Sequence, residues 1–246
     1  MTETTNRTVE ASPQLYARIG GVLYLIIIVA GGFAELFVRD KLIAPRDAAA
    51  TAGKIMASEP LWRMGFAATL VMLVCAVALT MIFYVLLKPV NRNLALLAVL
   101  FNLVDVAIEG INNLHHFAAV LILGGADYLK AFDPHQLQAL ALLSTKLFAY
   151  GYGIGLVFFG CESLLRGYLI FRSGYFPRFL GVLVTISGLS YLTNSFTLFL
   201  SPAVARLISS WILLPAGIPE LILALWLVVV GVNVAKWKEK IPGLRN

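Results

Sequence analysis

Six long apolar stretches alternate with short clusters of charge along this 246-residue chain. A helix that crosses ~30 Å of hydrocarbon at ~1.5 Å per residue needs about 20 apolar residues. Each stretch reaches that length. The pattern predicts helices over about 16–38, 63–88, 94–123, 146–172, 178–200 and 207–236. The second and fifth carry no charge between Arg63 and Lys88 or between Arg178 and Arg206. The fourth is preceded by a polar lead-in, Pro134 to Gln138, that reads as a helical start lying in the interface. The sixth holds Pro215, Pro219 and Glu220, so a broken helix with a carboxylate at the break is expected there. The Ala-rich run from Asp47 to Ser58 predicts a short helix opened by Asp47, read as a connector at the headgroups. The expected architecture is all-α: a polytopic integral membrane helical bundle of six transmembrane helices, forming a single membrane domain over residues 1–246.

Composition removes the main alternatives. The chain is 60% hydrophobic and 13% charged with a mean hydropathy of +0.86. A soluble domain is nearer one quarter charged, so an ordinary soluble enzyme is excluded. Two cysteines, Cys75 and Cys161, both fall inside predicted spans and carry no redox message. The net charge of +6 is distributed unevenly. Arg7, Arg18, Lys88, Arg92, Arg172, Arg178, Lys236, Lys238, Lys240 and Arg245 gather on one side. On the other, Arg39, Lys41, Arg46, Lys54 and Arg63 are offset by Asp40, Asp47 and Glu59. Lys130 and Lys146 stand there against Asp127 and Asp133, with Arg206 beyond. That asymmetry predicts both termini in the cytoplasm and explains the basic balance by anionic lipid, without nucleic acid. The leader carries Glu3 and Glu10 and no basic cluster, which favours an uncleaved first helix over a signal peptide.

The third stretch carries the candidate chemistry. Asn102, Asp105, Glu109, Asn112 and His116 are spaced three, four, three and four apart, which sets all five on one helical stripe. Ionisable groups inside a span normally face the bundle interior or a water-filled space. Counted from Leu94, Asp105 lies ~16 Å deep, Glu109 ~22 Å and His116 ~33 Å. Glu35, Lys146, Tyr191, Asn194 and Glu220 fall in the same outer half of their own stretches. Glu162 and Arg166, four apart, are expected to pair with each other near the inner edge. The result is an expected outward-facing acidic cavity with an apolar floor. Its candidate ligand or ion contacts are Asp105, Glu109, Asn112, His116, Glu220, Glu35, Lys146, Asn102, Tyr191 and Asn194. Lys146 is the chief base expected near the acids.

No metal-ligand signature of the His-Glu-x-x-His kind is present, so no metal and no cofactor is expected. The partners expected are the lipid bilayer and a small solute, proton or cation. Three functional classes remain open: a transporter or solute-binding protein, a membrane-embedded enzyme acting on lipid or isoprenoid with His116 beside a carboxylate, and a non-catalytic partner or sensor whose polar residues only lock helices.

Ala17-Arg18-Ile19-Gly20-Gly21-Val22-Leu23-Tyr24-Leu25, then Gly31-Gly32-Phe33-Ala34-Glu35 and Phe37-Val38-Arg39, form one distinctive block. Arg63-Met64-Gly65-Phe66 and Tyr84-Val85-Leu86-Leu87-Lys88-Pro89-Val90-Asn91 form another. Together they resemble a bacterial multi-pass membrane family catalogued as domain of unknown function 4386. The resemblance implies a bacterial inner-membrane location and about six helices. It implies no substrate, cofactor or catalytic residue.

Overall fold

A computed structural model describes residues 12–212 and 214–241. The charges of Glu3, Arg7, Glu10 and Arg245 lie outside the described residues, as does the side chain of Arg206. Helix α1 (Pro13–Gly32) opens on a proline, where a missing N–H costs no helical bond. It continues through a π-helical segment, Phe33–Arg39, and a last turn, Asp40–Leu42. Helix α2 (Ala48–Ala57) is capped by Asp47, whose carboxylate accepts from the Ala50 N–H at 2.8 Å. Then come α3 (Glu59–Leu87) and α4 (Arg92–Leu123), the latter capped by Asn91 accepting from Leu94 N at 3.0 Å. A 3₁₀ turn, Asp127–Ala131, leads to α5 (Pro134–Ser173). The remaining helices are α6 (Arg178–Leu200), α7 (Pro202–Ile212), α8 (Leu214–Val229) and α9 (Val234–Glu239).

Five helical rods are long and apolar enough to cross a membrane: Pro13–Leu42, α3, α4, α5 and α6. The expected sixth, 207–236, is not one helix. Its first residues lie in α7, and α8 ends at Val229 before a turn at Gly231, which holds φ +75°. Alone, α8 spans ~24 Å, short of the hydrocarbon thickness. Pro215 stands in the first turn of α8, where proline is tolerated, and the helix runs on through Pro219. The fourth stretch departs the other way. Its polar lead-in is the first turns of one 40-residue helix, opened by an Asp133–Gln136 capping box.

Chain order nearly dictates packing. Helix α1 lies against α3, α3 against α4, α4 against α5 and α5 against α6, while α8 lies against both α6 and α1. The six close a ring. Small residues permit the tightest crossings: Gly21 abuts the α8 backbone at Ala224, and Gly181 abuts Gly167. Two apolar clusters seal the ring's ends. Helix α2 is not a loose connector, because Ile55 is buried with Val38, Leu42, Trp62 and Val120 at that end. At the α9 end, Tyr175 Oη and Trp237 Nε1 both donate to the Leu86 carbonyl, at 2.6 and 3.1 Å. The outward faces are apolar, as Val29, Val74, Ile111 and Val229 show. A helical ring with a lipid-compatible exterior then has to satisfy its polar groups inside.

Candidate functional site

A cavity of about 330 Å³ lies inside the ring. Helices α1, α3, α4, α5, α6 and α8 all contribute to its wall. Most of that wall is apolar, with Ile27, Leu73, Leu79, Val99, Leu156 and Leu169 representative. Into it point Asp105, Glu109, Glu162 and Glu220 against one guanidinium, Arg166.

Arg166 is the most constrained of these. Its Nε lies 3.3 Å from Glu162 Oε1, and its Nη2 lies 3.2 Å from each oxygen of Glu220. Nη1 donates to Tyr24 Oη at 2.9 Å. The rings of Phe83, Tyr24 and Phe159 surround the cation at 5.0, 5.5 and 5.8 Å. Thus α1, α5 and α8 are joined through one buried side chain. The sequence reading paired Arg166 with Glu162 alone and put Glu220 in the outer half; the structure corrects both. An unbroken helix to Lys236 would put Glu220 ~24 Å from that residue, whereas α8 stops at Val229. Glu220 therefore lies nearer the α9 end than expected, beside Arg166.

The α4 stripe faces inward, but its members do different things. Asn102 is hydrogen-bonded to Thr80 on α3. His116 stacks on Trp62 with ring centroids 4.0 Å apart, and its Nε2 lies 2.9 Å from the Trp62 carbonyl. In return Trp62 Nε1 donates to the His116 carbonyl at 2.9 Å. A carbonyl only accepts, so Nε2 carries a proton, and Nδ1 has no hydrogen-bond partner. This reciprocal pair locks α3 to α4 and roofs the cavity at the α2 end. Asn112 Nδ2 donates to the Phe148 carbonyl on α5 at 2.9 Å. Glycines on α5 make room for the stripe. A Cβ at Gly155 would lie 2.6 Å from Glu109 Oε1 and 2.8 Å from Asp105 Oδ1, so both carboxylates converge on one notch. Gly151 provides the same space for Asn112.

Asp105 and Glu109 have no ion-pair partner among the described residues. Arg166 is taken by Glu162 and Glu220, and Arg39 by Glu35 at 2.6 Å. Glu109 is 5% exposed, and its Oε1 has no hydrogen-bond partner. Arg39 is the missed residue here. It was counted as a loop charge, yet it is buried over the Phe148 ring at 4.6 Å, with Nη1 unpartnered. The π-helical segment changes which face of α1 points inward after Gly32, a shift that the 3.6-residue pattern does not encode.

Of the remaining candidates, Tyr191 lines the cavity and packs on Phe159 at 5.1 Å. Asn194 does not line it. Glu35 is exposed and holds Arg39 from the rim. Lys146 is exposed on α5 and pairs with none of the acids among the described residues, so the base expected of it is Arg166 and Arg39 instead. The cavity lining stops at Glu109 and Tyr152, short of the α2 end. Trp62, His116 and α2 close the end where its mouth was expected, and its wall extends toward the α9 end through Leu87, Ala95 and Leu169. Toward that end the apolar floor holds Glu162 and Arg166, the expected exceptions, and Glu220 joins them. No group of three or more His, Cys, Asp or Glu able to hold a metal occurs among the described residues.

This is the architecture of a multi-pass helical membrane protein with a polar centre buried in its bundle. The chain belongs to the family described as domain of unknown function DUF4386, whose model matches residues 19–231. A relative from Archaeoglobus fulgidus, described as an uncharacterized protein, is 29% identical over 148 residues, covering 60% of this chain and 72% of its own. No solved structure matches the chain.

Proposed function

We propose that this protein is a transporter or solute-binding membrane protein whose central cavity takes up a proton or cation at Asp105 and Glu109. One observation carries the reading: two carboxylates converge at mid-depth on the Gly155 notch while every nearby guanidinium is held by another acid. In a low-dielectric interior such a pair is balanced by a proton or a bound cation. Helix locking accounts for Asn102, Asn112 and His116, but Asp105 and Glu109 have no ion-pair partner among the described residues. The enzyme reading loses support because the His116 Nε2 is committed to a carbonyl and its ring lies in the roof. The charge bias supports both termini in the cytoplasm, and the family resemblance supports a bacterial inner membrane holding a single membrane domain of six spans, the sixth built from α7 and α8.

The test is proton movement into pyranine-loaded proteoliposomes under a potassium diffusion potential. Wild-type protein should exceed protein-free vesicles, and Asp105→Asn should fall to their level with unchanged helicity. Equal rates for wild type and empty vesicles would overturn the reading. Cysteine labelling at Asp127 in intact cells checks orientation: access only after lysis would reverse it.

A further inference from the structure

Resting on that reading, we infer that the cavity's solute is a small organic monocation with an apolar body, an alkyl or aryl ammonium. The argument begins with charge. Arg166 is balanced twice over by Glu162 and Glu220, so the triad adds no free positive charge to the wall. Asp105 and Glu109 add two more acids to the lining, and the buried Glu109 Oε1 has no hydrogen-bond partner. A carboxylate ligand would meet four acids before it met a free cation.

Shape and surface then narrow the class. A cavity of about 330 Å³ is at the lower end of the range that holds one small organic molecule. A hydrated inorganic ion would leave Ile27, Ile28, Met72, Leu73 and Leu79 without apolar contacts, and these form a continuous side of the wall. Aromatic groups lie at the polar side: Tyr152, Tyr191 and Phe159 line the space beside the acids. Ring faces attract a cation and fill space against an alkyl or aryl body. Arg166 shows that this interior already supports a cation among three rings and two acids. An ammonium beside Asp105 and Glu109, with its apolar body toward Leu73 and Leu79, gives the two unpaired carboxylates a counter-charge.

The experiment measures binding to the purified full chain in detergent by isothermal titration calorimetry. Its probes are benzyltrimethylammonium, the uncharged isostere neopentylbenzene, and phenylacetate. The ammonium should bind at least tenfold tighter than the isostere, and phenylacetate should not bind. Asp105→Asn and Glu109→Gln should each weaken the ammonium at least tenfold and leave the isostere unchanged; Lys146→Gln should alter neither. Retained isostere binding shows that each variant still forms the cavity. Equal affinity for ammonium and isostere, or preference for phenylacetate, would overturn the inference. The two proposals fail separately. Ammonium binding without proton movement would remove the transport reading alone, and proton movement without ammonium preference would remove the ligand class alone.

Discussion

Glu162 and Glu220 face Arg166 from α5 and α8, within 3.3 Å of it, while Asp105 and Glu109 on α4 meet α5 at Gly155, about two turns from Glu162, with no ion-pair partner among the described residues. The acids are of the same types in the same cavity. What separates them is whether a base was delivered to the same point by another helix. A buried ion pair is balanced against its own desolvation, so it adds specificity of packing more than net stability. A buried acid without a base stays available to something that is not protein. The first group is therefore read as architecture and the second as chemistry.

That contrast is broken most severely at Arg166. Arg166→Leu strands two buried carboxylates and should cost about 3–5 kcal/mol, read as a lowered unfolding temperature in detergent. A small loss there would show that Glu162 and Glu220 do not depend on the pair. Next, Gly155→Ala should cost about 1–3 kcal/mol by overpacking, since the new methyl would fall on both carboxylates of the unpaired group. Adding Asp105→Ala should recover part of that loss. No recovery would mean that the notch is not shared. His116→Phe keeps the stack on Trp62 but removes the Nε2 donor, at about 1 kcal/mol. Asp105→Asn should be smallest, within about 0.5 kcal/mol in stability, while abolishing proton movement. If it proves as destabilising as Arg166→Leu, the two groups are one structural network.

How much of the site was legible differs from residue to residue. The stripe from Asn102 to His116 was visible because helical periodicity is local, and its spacing alone put five polar groups on one face. The partners were not visible. Trp62 lies 54 residues from His116, and Glu220 lies 54 from Arg166. Gly151 and Gly155, four apart on α5, were a signal left unused: small residues at helical spacing mark where a neighbouring helix can push polar groups close. Arg39 carried no such mark, since only the π-helical turn brings it inward.

The sequence by itself determined that this is a membrane-embedded helical protein, where most helices start and stop, and which face of α4 is polar. Those properties follow from apolar run length, caps such as Asp47, Asn91 and Asp133, and the 3.6-residue repeat, all of which act within a few residues. Only the tertiary structure decided that Trp62 and His116 shut the α2 end, that Arg166 belongs to Glu220 as well as Glu162, and that Asp105 and Glu109 are left over. Charge pairing across a ring of helices depends on which faces meet and at what depth, and a one-turn change such as the end of α8 at Val229 moves a side chain by about 5 Å. Distances of that size separate a paired acid from a free one.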